Sequence, residues 1–147
     1  MTDSLLTPDH CVGNNLFKTA RAVSRIYAEE MHPAGLARSQ FSILGALYQA
    51  GPISLSALAE RLYMDRTTLT RNLRPLERDG FVIRESAPDD GRIRLVRLTT
   101  AGRDKFREAK GYWQIAQKRL LELLGEAEWT ELEARLVALR RQVKGNE

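Results

Sequence analysis

The chain has 147 residues, 43% hydrophobic and 29% charged, with a formal net charge of +4 and one cysteine. That profile suits a globular chain with a single core and room for an appended oligomerisation element. A lone Cys11 excludes an internal disulfide framework and a cysteine-based zinc site. No apolar run reaches the length of about 18 residues that a membrane span needs. The first residues carry Asp3, Pro8 and Asp9 rather than a basic segment leading into an apolar one, so no signal peptide is predicted and the expected location is the cytoplasm.

In chain order, Leu16, Ala20, Val23 and Tyr27 recur at spacings of four, three and four, which predicts a first helix ending before Pro33 and Gly35. Ser39 is positioned to cap a second helix, with Phe41, Leu44, Leu47 and Tyr48 on its inner face and Gly51-Pro52 closing it. Ser54 caps a third, carried by Leu55, Leu58, Ala59 and Leu62. After a break at Tyr63-Met64, a fourth helix starts at Asp65 and ends at Asp79-Gly80.

The period then changes. Phe81 to Arg84 reads as a strand, Pro88-Asp89-Asp90-Gly91 as a turn, and Arg92 to Leu98 as a return strand. Arg92 and Arg94 alternate with Ile93 and Leu95, but Val96 breaks the alternation, so a bulge or strand end is expected there. Helical spacing returns with Phe106, Ala109, Trp113, Ala116, Leu120 and Leu123 up to Gly125. A final helix carries a heptad seam of Trp129, Leu132, Leu136, Leu139 and Val143.

Charge distribution says more than total charge. Of 23 basic residues 18 are Arg, and all nine between Arg61 and Arg97 are Arg. Guanidinium is the group suited to planar, bidentate contact with phosphate or guanine. Two short helices joined by a tight break form a helix-turn-helix pattern. Leu69, Leu73 and Leu76 make the buried stripe of its second helix, leaving Arg66, Thr67, Thr70, Arg71 and Arg74 outward, a face that matches major-groove readout. A solvated amphipathic helix is the bland alternative. The hairpin that follows, tipped by Asp90-Gly91 and flanked by Arg92 and Arg94, can lay cations into a minor groove, or is a surface ribbon with charged edges. Asp90 is assigned as a structural partner orienting a wing arginine, because a carboxylate repels phosphate. The full set of expected DNA contacts is Ser54, Arg66, Thr67, Thr68, Thr70, Arg71, Arg74, Arg92 and Arg94.

The sequence resembles the MarR (multiple antibiotic resistance regulator) family from about Asn15 to Val143. The resemblance is carried by Leu55-x-x-Leu58-Ala59-x-x-Leu62, by Thr67-Thr68-Leu69-Thr70-Arg71-x-Leu73-x-x-Leu76-Glu77-x-x-Gly80-Phe81-Val82, and by Pro88-Asp89-Asp90-x-Arg92-x-Arg94-Leu95-Val96-x-Leu98-Thr99-x-x-Gly102. Gly91 stands where many relatives place a third wing cation. The implied fold is mainly α with a small β-hairpin wing: one domain over 1–147, with a winged helix-turn-helix at 36–100 and dimerisation helices at 12–32 and 101–145. The resemblance also implies an obligate homodimer on a pseudo-palindromic duplex operator, usually repression, and often release by a small aromatic acid or phenolic effector.

A junction crevice lined by Tyr27, Met31, Arg38, Phe41, Tyr112 and Trp113 is the candidate effector site, and simple core filling between the helices is the alternative. One branch of the family senses hydroperoxides through a cysteine near the first helix. That position falls near Gly13, two residues from Cys11, so Cys11 is read either as a redox sensor or as a buried or incidental thiol. His10 and His32, the only histidines, lack metal-ligand spacing with Asp9 and Cys11, and no metal or cofactor is expected. No phosphate loop or nucleophile elbow is present, so no enzymatic activity is expected. A protein-interaction module lacking its own operator is the competing function, disfavoured by the exposed hydroxyl and guanidinium face.

Overall fold

Three side-chain oxygens set where the central helices begin. Ser54 accepts the Ala57 amide (3.1 Å), Asp65 accepts the Thr68 amide (2.7 Å) and Thr99 accepts the Gly102 amide (3.0 Å), each satisfying an amide that the first helical turn leaves unpaired. The computed structural model describes residues 2–146. Six α-helices follow one another: α1 (Val12–Met31), α2 (Arg38–Ala50), α3 (Leu55–Leu62), α4 (Arg66–Arg78), α5 (Thr100–Leu124) and α6 (Glu126–Lys144). Three strands, β1 (Ile53–Ser54), β2 (Val82–Ser86) and β3 (Arg94–Leu98), form an antiparallel sheet in the order β1-β3-β2. This is the mainly α winged helix-turn-helix class that the sequence predicts. Among the described residues no helix is long and apolar enough to cross a membrane.

The core is centred on α2, α3, α4 and the sheet, with Met31 and Ala109 joining it from α1 and α5. Ile43, Leu44 and Leu47 of α2, Leu58 of α3, Leu69, Leu73 and Leu76 of α4, and Val82 and Val96 of the sheet are all buried. The stripe on α4 therefore lies inward, as its spacing predicts. Between α3 and α4 the chain turns through Tyr63, whose φ of 51° is left-handed. Met64 there donates to the Ala59 carbonyl at 3.0 Å, which closes the helix end.

Several local expectations need correction. Ser39 does not cap α2. Ala37 holds the cap position, and the Gln40 side chain accepts the Ala37 amide (3.0 Å), which releases the Ser39 hydroxyl for a tertiary bond. The wing strands begin two residues later than predicted at β3, and β2 runs on to Ser86. No bulge occurs at Val96: the register runs unbroken from Val82↔Leu98 to Ser86↔Arg94. The phase was misread because Ile93 belongs to the turn, where its amide donates to the Asp90 carbonyl (3.1 Å). Val96 and Leu98, rather than Ile93 and Leu95, then face the core. β1, with only two residues, is too short to leave a periodic signature.

The wing is joined to α5 by a close approach at the start of the helix. Thr99 donates its hydroxyl to the Gly80 carbonyl (2.6 Å) and its amide to the Phe81 carbonyl (3.1 Å), pulling the first turn of α5 onto the chain entering β2. Gly102 is buried in that turn, and a Cβ there would lie 2.0 Å from the Phe81 carbonyl oxygen. Gly102→Ala is therefore expected to destabilise by about 1–3 kcal/mol or more through backbone displacement. Gly111→Ala, on the same helix with nothing within 4 Å of the added carbon, should stabilise by about 1 kcal/mol through helix propensity. Urea unfolding midpoints of the two variants test this pair, and a neutral Gly102→Ala would refute the junction.

Candidate nucleic-acid interface

The candidate interface starts from the α3–turn–α4 unit. Asp65 accepts both the amide (2.7 Å) and the hydroxyl (2.8 Å) of Thr68, and these bonds hold its carboxyl below the usual range. The helix N-terminus is thereby anchored, with its partial positive charge directed outward. Arg66, Thr67, Arg71 and Arg74 are exposed on α4, while Thr68 and Thr70 are half-buried. Thr68 is thus committed to the cap as well as standing in the predicted contact set, and Ser54 is likewise half-buried and occupied in capping α3.

Ion pairing sorts the nine arginines between positions 61 and 97. Arg84 forms a two-pronged pair with Glu77, Arg97 pairs with Glu85 (3.0 Å) and Arg78 with Asp79 (3.0 Å). Arg61 donates to Gln49 (2.9 Å) and Arg94 to Ser86 (3.2 Å), both neutral partners. Arg66, Arg71 and Arg74 carry no carboxylate partner among the described residues, and all three lie on the outward face of α4. At the wing, Asp90 accepts the Arg92 amide (3.0 Å) and lies 4.0 Å from its Nε, while the Arg92 side chain is 96% exposed. The carboxylate thus shapes the turn and leaves the guanidinium extended.

Two polar residues at this site are absent from the sequence-based set. The Ser39 hydroxyl donates to the Asn72 side-chain oxygen (2.7 Å), and the Asn72 amide donates to the Thr68 carbonyl (2.9 Å). A signal for half of this existed, since Asn72 stands four residues after Thr68 on one helix. Its link to Ser39 needs the packing of α2 on α4. The Arg97–Glu85 pair is similarly hidden until the strand register is known.

At the junction between α1, α2 and α5, Met31 and Phe41 are buried and Tyr27, Tyr112 and Trp113 pack partly buried against the same core. Phe41 stacks on Phe106 (5.2 Å between centroids) and Trp113 (5.9 Å). The Tyr27 hydroxyl donates to Gln117 (2.5 Å), and burial raises its pKa against an opposing influence from Arg38. Arg38 itself borders a groove of about 540 Å³ between α1 and α2, shared with Ser24, His32 and Ser39. Cys11 is an exposed free thiol immediately before α1, so it is not a buried core thiol. Among the described residues no group of three or more His, Cys, Asp or Glu is placed to hold a metal ion.

Residues 36–93, from the entry of α2 through the wing turn, match the MarR family. The HTH-type transcriptional regulator YdgJ of Bacillus subtilis is 38% identical over 87 residues, which is 59% of this chain and 53% of that protein. The match therefore spans about half the length of that relative. The Mycobacterium tuberculosis transcriptional regulator MosR, solved with DNA, superposes with a TM-score of 0.83 at 28% identity, covering 93% of this chain and 98% of that one. A cysteine-to-serine variant of Escherichia coli MarR complexed with operator DNA gives 0.81 at 26% identity, covering 95% and 98%. The capped helix-turn-helix, the arginine-tipped wing and the flanking helices superpose on these regulators over nearly the whole length, and the part of the chain that matches the MarR family is residues 36–93.

Proposed function

We propose that the chain is a transcriptional regulator that binds duplex DNA as a homodimer, reading a pseudo-palindromic operator with α4 in the major groove and laying the wing against the minor groove, and that it acts as a repressor. The observation that carries this reading is the arginine sorting. Arg66, Arg71 and Arg74 face outward without carboxylate partners on the helix whose leucines are buried, whereas Arg84, Arg97 and Arg78 are neutralised. Unpaired cations on one helical face favour a polyanion over an apolar protein partner.

The dimer is supported by what the single chain leaves uncovered. No residue of α6 is buried, and of α1 only Met31 is. Phe17 is 65%, Leu123 72% and Val143 56% exposed. A helix with an apolar seam and no buried residue lacks the packing that stabilises helices in water. A second copy of the same helices is the self-complementary partner that a two-fold assembly requires.

An effector is part of the proposal. The effector is a small aromatic acid or phenol, supported by the aromatic cluster of Tyr27, Phe41 and Trp113 on the core and by the Arg38 cation on a groove that none of those three lines; it would weaken DNA binding by favouring a dimer with misplaced recognition helices. The exposed Cys11 supports oxidation as the competing input.

Three outcomes test the proposal. Arg71→Ala or Arg74→Ala should weaken binding to the cognate site by about 1–3 kcal/mol, while Arg92→Ala weakens all duplexes evenly and flattens the salt slope by about one unit. Equal losses on every duplex from all three would remove base readout from α4. Insertion of about five base pairs between half-sites, which lie roughly 10 base pairs apart for a two-fold regulator, should abolish tight binding, and unchanged affinity would contradict the dimer. Titrating aromatic acids and phenols against the DNA-bound protein should release it. If no compound shifts DNA affinity or melting temperature, Cys11 oxidation replaces the effector.

A further inference from the structure

The Ser39–Asn72 bond is not needed to bury anything and is not on the exposed face of α4. Its two ends are half-buried, one at the second residue of α2 and the other at the middle of α4. The chain of bonds has only one consistent direction. The Thr68 carbonyl can only accept, so the Asn72 amide nitrogen points to it, and the Asn72 oxygen must then accept from the Ser39 hydroxyl. Thr68 in turn donates its amide and hydroxyl to Asp65 at the helix cap. Four residues, Ser39, Asn72, Thr68 and Asp65, thus run as one line of hydrogen bonds from α2 along the first half of α4.

Leucine packing alone leaves the rotation of α4 about its axis loosely set, because apolar contact is non-directional. Hydrogen bonds are directional. At the surface of a helix, about 5–6 Å from the axis, a rotation of about 15° moves a side-chain base by about 1.5 Å, enough to lose a hydrogen bond of about 2.9 Å. Arg71 adjoins Asn72 in sequence, and Arg74 lies two residues beyond it, so both share its rotation.

We infer that Ser39 and Asn72 are positioning residues for operator recognition: their hydrogen bond sets the angle at which α4 presents Arg71 and Arg74, and so governs sequence discrimination without itself touching DNA. The inference rests on the proposed reading of duplex DNA by α4. It assigns to α2 a part in specificity beyond its part in the core.

The test uses the full chain and two probes: the duplex that the wild-type protein enriches from a random-sequence pool, and a random duplex of equal length. Ser39→Ala should lower the ratio of the two affinities by about three- to tenfold, the span of one lost hydrogen bond. Affinity for the random duplex and the salt slope should stay unchanged, because no phosphate contact is removed. Ser39→Thr, which keeps the hydroxyl, should retain the wild-type ratio. The double variant Ser39→Ala with Asn72→Leu should discriminate no worse than Asn72→Leu alone. Ser39→Ala carries the test should Asn72→Leu fold poorly. An unchanged ratio, a parallel loss on both duplexes, a changed salt slope or additive losses in the double variant would each overturn the inference while leaving DNA binding intact. Failure of the wild-type protein to enrich any duplex would overturn the DNA-binding reading itself, and the inference with it.

Discussion

Burial of Leu69, Leu73 and Leu76 is the contact on which the rest of the site depends. Those three side chains occupy the inward stripe of α4 against α2, α3 and the sheet. With that stripe inside, helical geometry leaves Arg66, Thr67, Arg71 and Arg74 no direction but outward. The outward direction of these residues is therefore a by-product of core formation. The same stripe determines that the Asp65 cap, and the amides it satisfies, stand at the exposed end of the helix.

Charge is distributed with a second constraint in view. The sheet and its surroundings use Arg84 and Arg97 in pairs with Glu77 and Glu85 that are partly shielded from solvent, which joins α4 to β2 and β2 to β3. These guanidiniums serve the scaffold. Both pairs still reach solvent and contribute little stability individually, so their effect here is chiefly to cancel positive charge next to the wing. What remains without a carboxylate partner in this stretch is Arg66, Arg71 and Arg74 on α4, with Arg61 and Arg94 bonded to neutral partners. A mildly basic chain becomes strongly polarised by this sorting, which its net charge of +4 does not convey.

The helices outside the winged region follow a different logic. α5 begins at a contact too close for any side chain, with Gly102 against the Phe81 carbonyl, and its next turns pack Phe106 and Ala109 on the core. Further along, Trp113 and the buried Ala116 still pack inward, but Leu123 is exposed and no residue of α6 is buried. α5 is thus a rigid arm between a complete core and an incomplete one. In the proposed dimer, a rearrangement where the helices meet would be transmitted along that arm to the wing.

Helix positions, the cap at Ser54, the start of α4 at Asp65, the break at Tyr63, and the outward arginine face of α4 were all legible in the sequence. Each is a local matter, decided by side-chain spacing of 3.6 residues or by one oxygen beside an unpaired amide. The cap of α2 was misread because Ser39 satisfies the rule for a cap, while a tertiary acceptor on Asn72 competes for the same hydroxyl. The phase of β3 was misread because Ile93 looks like a strand residue until the turn claims it. Strand β1, the Arg84–Glu77 and Arg97–Glu85 pairs and the Ser39–Asn72 line join segments apart in sequence, from seven residues for Arg84 and Glu77 to 43 for Ile53 and Val96. Spacing along a chain determines which face of an element is apolar. Only the packing of one element on another decides which polar groups are paired, and hence which are left exposed.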